Sequence, residues 1–228
     1  MENLRRSGTD YSDLGQAIAE TIEYFLVSNF LSPKTNNNFY IPSVTTTGDE
    51  AYMISRILAY PTKLIGSTNT SVSANQLIDS AADFIALGVK VGDIVSNQSS
   101  NQVTTVTTVS TTVLNLNDDI FPFSGVDYSI FSAADVKDTE KVSSGKITML
   151  TNSLLTAPSN MFPAYTQEGI IYKIYPTSIN TVGQIQAVYF RYPKDPKWTY
   201  VTLLGGEPSF DQSQPDYQDF EMPAEDEF

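Results

Sequence analysis

Apolar side chains recur at Leu14, Ile18, Ile22, Phe25 and Leu26, a spacing that puts them on one face of a helix. The pattern predicts a helix from about Tyr11 to Ser28, with Asp10 and Asp13 at the positive end of its dipole. Pro33 and Asn36-Asn37-Asn38 mark the loop behind it. A second helix is predicted from Asp49 to about Tyr60. Asp49 serves as its N-cap, Ala51, Ile54, Ile57 and Leu58 form its apolar face, and Pro61 ends it.

The texture then changes. Residues 63–132 are rich in Ser, Thr, Val and Asn. Leu77-Ile78 reads as a short strand, and Ser80 to Gly88 as a helical turn closed by glycine. Val91–Ser96, Gln102–Val109, Thr112–Leu116 and Asp127–Phe131 read as strands. Turns are expected at residues 97–101 and at Asp118-Asp119. Short, regular strands of this kind predict a small β-barrel or sandwich. The Val-Thr-Thr triplets at 103–108 break alternation, so that strand rests on β-propensity alone.

After a polar segment at 133–145, strands are predicted at Ile147–Leu150, Gly169–Pro176, Gln184–Tyr192 and Trp198–Leu204. Gln184–Tyr192 carries bulky residues on both faces, the mark of a central strand. Residues 207–228 hold eight acidic side chains, three prolines and no basic residue. That composition buries too little apolar area to fold alone. Its aromatics, among them Phe210, Tyr217 and Phe220, suit an arm that docks on a partner. The fold class expected is α+β. N-terminal helices join a mainly antiparallel core at 1–62 and 133–206, 63–132 is an inserted β domain, and 207–228 is an acidic arm.

The 228 residues are 41% hydrophobic and 17% charged, enough for a sizeable core. There is no Cys and no His. Zinc fingers, Cys/His metal sites, and Ser-His-Asp or Cys-His catalysis are thereby excluded. Carboxylate chemistry, a Ser-Lys pair, or Mg and Ca on carboxylates remain. Thirteen basic against 26 acidic residues give a net charge of −13, which opposes binding to phosphate backbones. The polar N-terminus is unlike a signal peptide, and no apolar run is long enough to span a bilayer, so a soluble, non-secreted protein is expected.

Few motifs point to chemistry. Ser143-Ser144-Gly145-Lys146-Ile147 lacks the leading Gly and the Ser/Thr of a phosphate-binding loop. Asp79, Asp83 and Asp93 lack calcium-loop spacing, and turn roles explain each. Asn69-Thr70-Ser71 and Asn97-Gln98-Ser99 fit the glycosylation pattern but matter only with secretion. Arg191 to Trp198 mixes charge, proline and the lone Trp, as a binding edge or a rigid turn would. No catalytic residue, cofactor or metal is expected.

Two stretches carry a family resemblance. Leu77 to Phe84 with Gly88 to Asn97, continued by Leu114-Asn115-Leu116, Asp119-Ile120-Phe121 and Tyr128-Ser129-Ile130, resembles a small β module inserted in many tailed-phage virion proteins. The second runs from Lys146-Ile147-Thr148-Met149-Leu150 through Phe162-Pro163-Ala164-Tyr165 and Tyr189 to Trp198. It ends at Asp219-Phe220-Glu221-Met222-Pro223. That order is similar to head-to-tail connector and tail-ring proteins of crAss-like and related phages of Bacteroidota. The resemblance touches about three quarters of the chain, and its motifs are structural rather than catalytic.

It implies a virion protein, made in the host cytoplasm, that forms a homo-oligomeric ring of about twelve copies around a DNA channel. Its partners would be the portal and neighbouring tail ring proteins, with no membrane. Relatives continue past Pro223 into a helix, whereas this chain stops at Phe228. The expected docking residues are Trp198, Phe210, Asp211, Asp216, Tyr217, Asp219 and Phe220. Two rival functions stand beside this one. One is a tail or fibre-attachment module whose β domain holds protein or glycan, and the other is a carboxylate hydrolase acting on cell wall.

Overall fold

The computed structural model describes residues 22–221. Most of the first predicted helix lies outside that range. Ile22 and Glu23 are helical, the Phe25 N–H donates to the Ile22 carbonyl, and the chain then turns into a strand, β1 (Leu26–Phe30). Leu26, Val27 and Ser28 are therefore extended rather than helical.

The chain divides into two compact units. Described residues 22–27 and 190–221 belong to one, and Ser28–Tyr189 form the other. The larger unit begins with β2 (Pro33–Thr35), β3 (Asn38–Tyr40), a single helical turn α1 (Val44–Thr47) and β4 (Ala51–Ala59). Seven strands follow: β5 (Lys63–Thr68), β6 (Ser71–Ser73), β7 (Gln76–Ile78), β8 (Ile94–Asn97), β9 (Val103–Val109), β10 (Val113–Leu116) and β11 (Asp127–Phe131). Next come β12 (Lys137–Asp138), β13 (Glu140–Lys141), helix α2 (Ser144–Thr151), β14 (Ala164–Glu168), β15 (Ile171–Tyr175) and β16 (Ile185–Arg191).

The result is an α+β fold with a small helical element and a mainly antiparallel β core. One sheet runs β5-β11-β8-β9-β10-β7-β6. Another runs β13-β14-β15-β3-β2, in which only the β13–β14 pair is parallel. A third runs β1-β16-β4-β12, so β16 is an interior strand with buried Ile185, Ala187 and Tyr189. The seven-stranded sheet packs on a core that includes Leu77, Phe84, Val95, Leu114, Phe121 and Tyr128.

Two predicted elements change type. Residues 51–59 form a strand, not a helix. Ile57 and Ala59, two apart, are buried, whereas a helical stripe would have buried Ile54 with Ile57 and Leu58. Pairing of Leu58 and Ala59 with β12 overrides the apparent 3.6 period. Conversely, Ile147–Leu150 lies in helix α2. Ser143 caps it by accepting from the Lys146 N–H, and only Ile147 is buried, so a four-residue apolar run had mimicked a strand.

The β-module turns follow side-chain chemistry. Asp93 accepts from the N–H groups of Lys90 and Ala133, and Gly92 sits at φ +91°, which delays β8 until Ile94. Residues 80–88 form consecutive turns ending at Gly88 with φ +77°, as the glycine signal implied.

Candidate docking surface

The predicted docking residues belong to the smaller unit. There β17 (Tyr200–Thr202) pairs antiparallel with β18 (Pro208–Phe210), with Tyr200 opposite Phe210. Leu203-Leu204-Gly205-Gly206 makes the tip. The Leu203 N–H donates to the Glu207 carbonyl, the Gly206 N–H donates to the Leu203 carbonyl, and Gly206 takes φ +83°, where glycine is unstrained.

The two-residue strand period sets Trp198 and Tyr200 on one face, against Phe210 across the ladder. Trp198 and Phe210 stack with centroids 5.6 Å apart and planes 1° from parallel. Tyr200 lies 6.2 Å from Trp198. Tyr217 meets Phe210 edge-on at 5.6 Å. Despite these contacts Trp198 remains 66% exposed, and Phe210 and Phe220 are exposed as well.

Beyond the hairpin the chain folds back along it. The N–H groups of Lys197 and Gln218 each donate to the other residue's carbonyl. Asp211 accepts from the N–H and Oγ of Ser213 and from the Gln214 amide, and these hydrogen bonds hold its carboxyl below the usual range. Burial, then the Asp219 carboxylate, pushes the Tyr217 phenol up. Asp219 accepts from the Phe220 N–H, and Asp216 is exposed. Phe210 thus contacts the rings of both Trp198 and Tyr217, and Asp211 joins the same strip through Thr199. Asp216 and Phe220 project from it.

Glu221, which the sequence did not single out, anchors the end of the strip. It forms a bidentate pair with Arg191 at 2.6 and 3.0 Å and accepts from the Lys194 N–H at 2.9 Å. Both side chains are mostly buried, and the Arg191 guanidinium also lies over the Phe25 ring. Arg191 holds the Glu221 carboxyl below the usual range. The available signal was an arginine at the end of an apolar strand and an acid strip with no base of its own.

The other constellations have structural roles. Asp79 accepts from Tyr128, Ser67 and the Ala81 N–H, and Asp83 accepts from the Ala86 N–H. Asn69 and Asn97 are buried, and their amides donate to the carbonyls of Phe123 and Ile120. Among the described residues no three acidic side chains group as metal ligands. Clefts of about 580 and 320 Å³ beside Lys141 and Gln167 are lined by no carboxylate, and one of about 400 Å³ beside Ser67 has only Asp127. None of the three supplies the carboxylate pair that glycoside hydrolysis uses. No described helix is long and apolar enough to cross a membrane. Comparison with protein-family models, with curated proteins and with solved structures found no match to this chain.

Proposed function

We propose that this chain is a virion structural protein of a tailed phage of the crAss-like kind. It forms a ring of about twelve copies in the head-to-tail connector, beside the portal and other tail rings. The observation that carries the reading is the strip 198–221. It has stacked aromatics left open to solvent, carboxylates along its length, and an end anchored by the Arg191–Glu221 pair. Large aromatics at low entropy cost, rimmed by charge, are what a protein-docking surface uses.

The acidic balance supports the same reading. A wall of net negative charge repels DNA and lets it slide past without sticking. A ring needs two different faces per subunit and a rotation that closes. We read the sheet of β5 to β11 as curling like a small barrel, because its central core draws on both β7–β10 and β8–β11. That module would face a neighbouring ring.

The test is the copy number of this chain in purified virions, by quantitative mass spectrometry against the major capsid protein. The expected result is about twelve copies or a small multiple. Absence from virions overturns the reading. Removing residues 207–228 is expected to abolish incorporation.

A further inference from the structure

A second exposed apolar surface lies in the larger unit, between α2 and β14. Leu154 and Leu155 are 103% and 96% exposed, and Met149, Met161 and Phe162 are exposed beside them in sequence. The segment is not loose coil. The Ala157 N–H donates to the Ser153 carbonyl, and Ser159 and Phe162 exchange backbone hydrogen bonds, so two turns present Leu154-Leu155 and Met161-Phe162 outward.

Its charge is unlike the rest of the chain. Residues 147–167 carry no charged side chain. Lys141, Lys146 and Lys173 flank them, with Glu140 paired to Lys146 at 3.4 Å and Glu168 the lone acid between Lys141 and Lys173. The strip 198–221 is the reverse, with five carboxylates, no base, and a Leu204 tip that is fully exposed.

We infer that the acidic aromatic strip 198–221 of one copy docks on the lysine-flanked apolar loop 149–162 of a second copy. The inference rests on the ring reading and names the receiving face that such a ring needs. With a net charge of −13, copies repel wherever carboxylates meet. A strip-to-strip contact would oppose carboxylates, and a loop-to-loop contact would oppose lysines. The strip-to-loop contact opposes unlike charges and covers both apolar faces. It is also heterologous, which is what propagates a ring.

The chain has no cysteine, so introduced ones are unique. Full-length Leu155→Cys and Leu204→Cys proteins are mixed and oxidised. A covalent dimer forms in the mixture and not from either protein alone, and the double variant gives a ladder of multimers. Lys141→Glu with Lys146→Glu weakens self-association about tenfold in sedimentation, and Glu207→Lys with Asp216→Lys in the same chain restores it. All four positions are exposed, and circular dichroism checks that each variant keeps its fold.

Three results would overturn the inference. If the double variant yields only an intramolecular product, the loop is covered by its own chain. If Leu154→Asp with Leu155→Asp leaves a wild-type oligomer intact, the ring stands and this contact falls. A wild-type chain that stays monomeric at every concentration, and is absent from virions, removes both.

Discussion

Asp79 is 1% exposed yet ionised, because three neighbours solvate it. Tyr128 donates at 2.8 Å, Ser67 at 2.9 Å and the Ala81 N–H at 2.9 Å. Desolvation pushes its carboxyl up, but these hydrogen bonds, with one from the Ala82 N–H, outweigh it and hold the carboxyl below the ordinary value. A depressed folded value adds stability above the unfolded value of about 3.9, and that stability is lost as pH falls through the folded value. Asp79→Asn puts an amide donor against a hydroxyl or N–H donor and is expected to cost about 1–3 kcal/mol. Urea melts at pH 7 and pH 3 check both effects, since the variant should lose less stability than the wild type on acidification. At Glu221 the readout is local. Glu221→Gln breaks the bidentate geometry with Arg191. It should speed protease cleavage within 195–221 about tenfold, with the melting temperature of the larger unit unchanged. Asp79 was visible in the sequence as a turn former, but its Tyr128 partner lies 49 positions away and was not.

At the scale of elements, the legible ones have local causes. Asp127–Phe131 is β11 to the residue, Gly169–Pro176 contains β15, and Gln184–Tyr192 contains the interior strand β16. β-branched and aromatic runs bounded by turn residues announce themselves. Residues 51–59 do not, because their type is decided by β12 and β16 alongside. The same long-range dependence appears at Gly183, with φ +87° and space for a Cβ only 2.9 Å from the Ser96 Cβ on β8 and 3.3 Å from the Phe131 ring on β11. Gly183→Ala should therefore cost about 1–3 kcal/mol. Gly88→Ala, at φ +77° in open space, should cost only the backbone strain, about 1 kcal/mol. Thermal denaturation of the two variants side by side separates the clash from the strain.

At the scale of the molecule, charge dominates. A net charge of −13 predicts that duplex DNA is not retained in gel-shift titrations at about 50–200 mM salt. Salt-sensitive retention would place a basic face on the assembly and contradict a repelling channel wall. Of the candidate docking residues, the sequence offered the aromatics and acids of 207–221 by composition. It did not offer the stack of Phe210 on Trp198, which depends on the Tyr200–Phe210 register. Nor did it offer the lysine-flanked loop as a surface, because Leu154 and Leu155 read like any core leucines until their exposure is known.

The sequence by itself determined the charge, the absence of Cys and His chemistry, the β-rich middle and the strands β7 to β11 and β15 to β17. These depend on residue type and on spacing over a few positions. Only the tertiary structure decided that 51–59 is extended and 144–151 helical, that Asp79 is caged, that Arg191 holds Glu221, and which apolar side chains stay in water. Apart from the helix 144–151, which Ser143 caps locally, each of these depends on a partner distant in the chain, and burial is a property of the packed whole that no local pattern encodes.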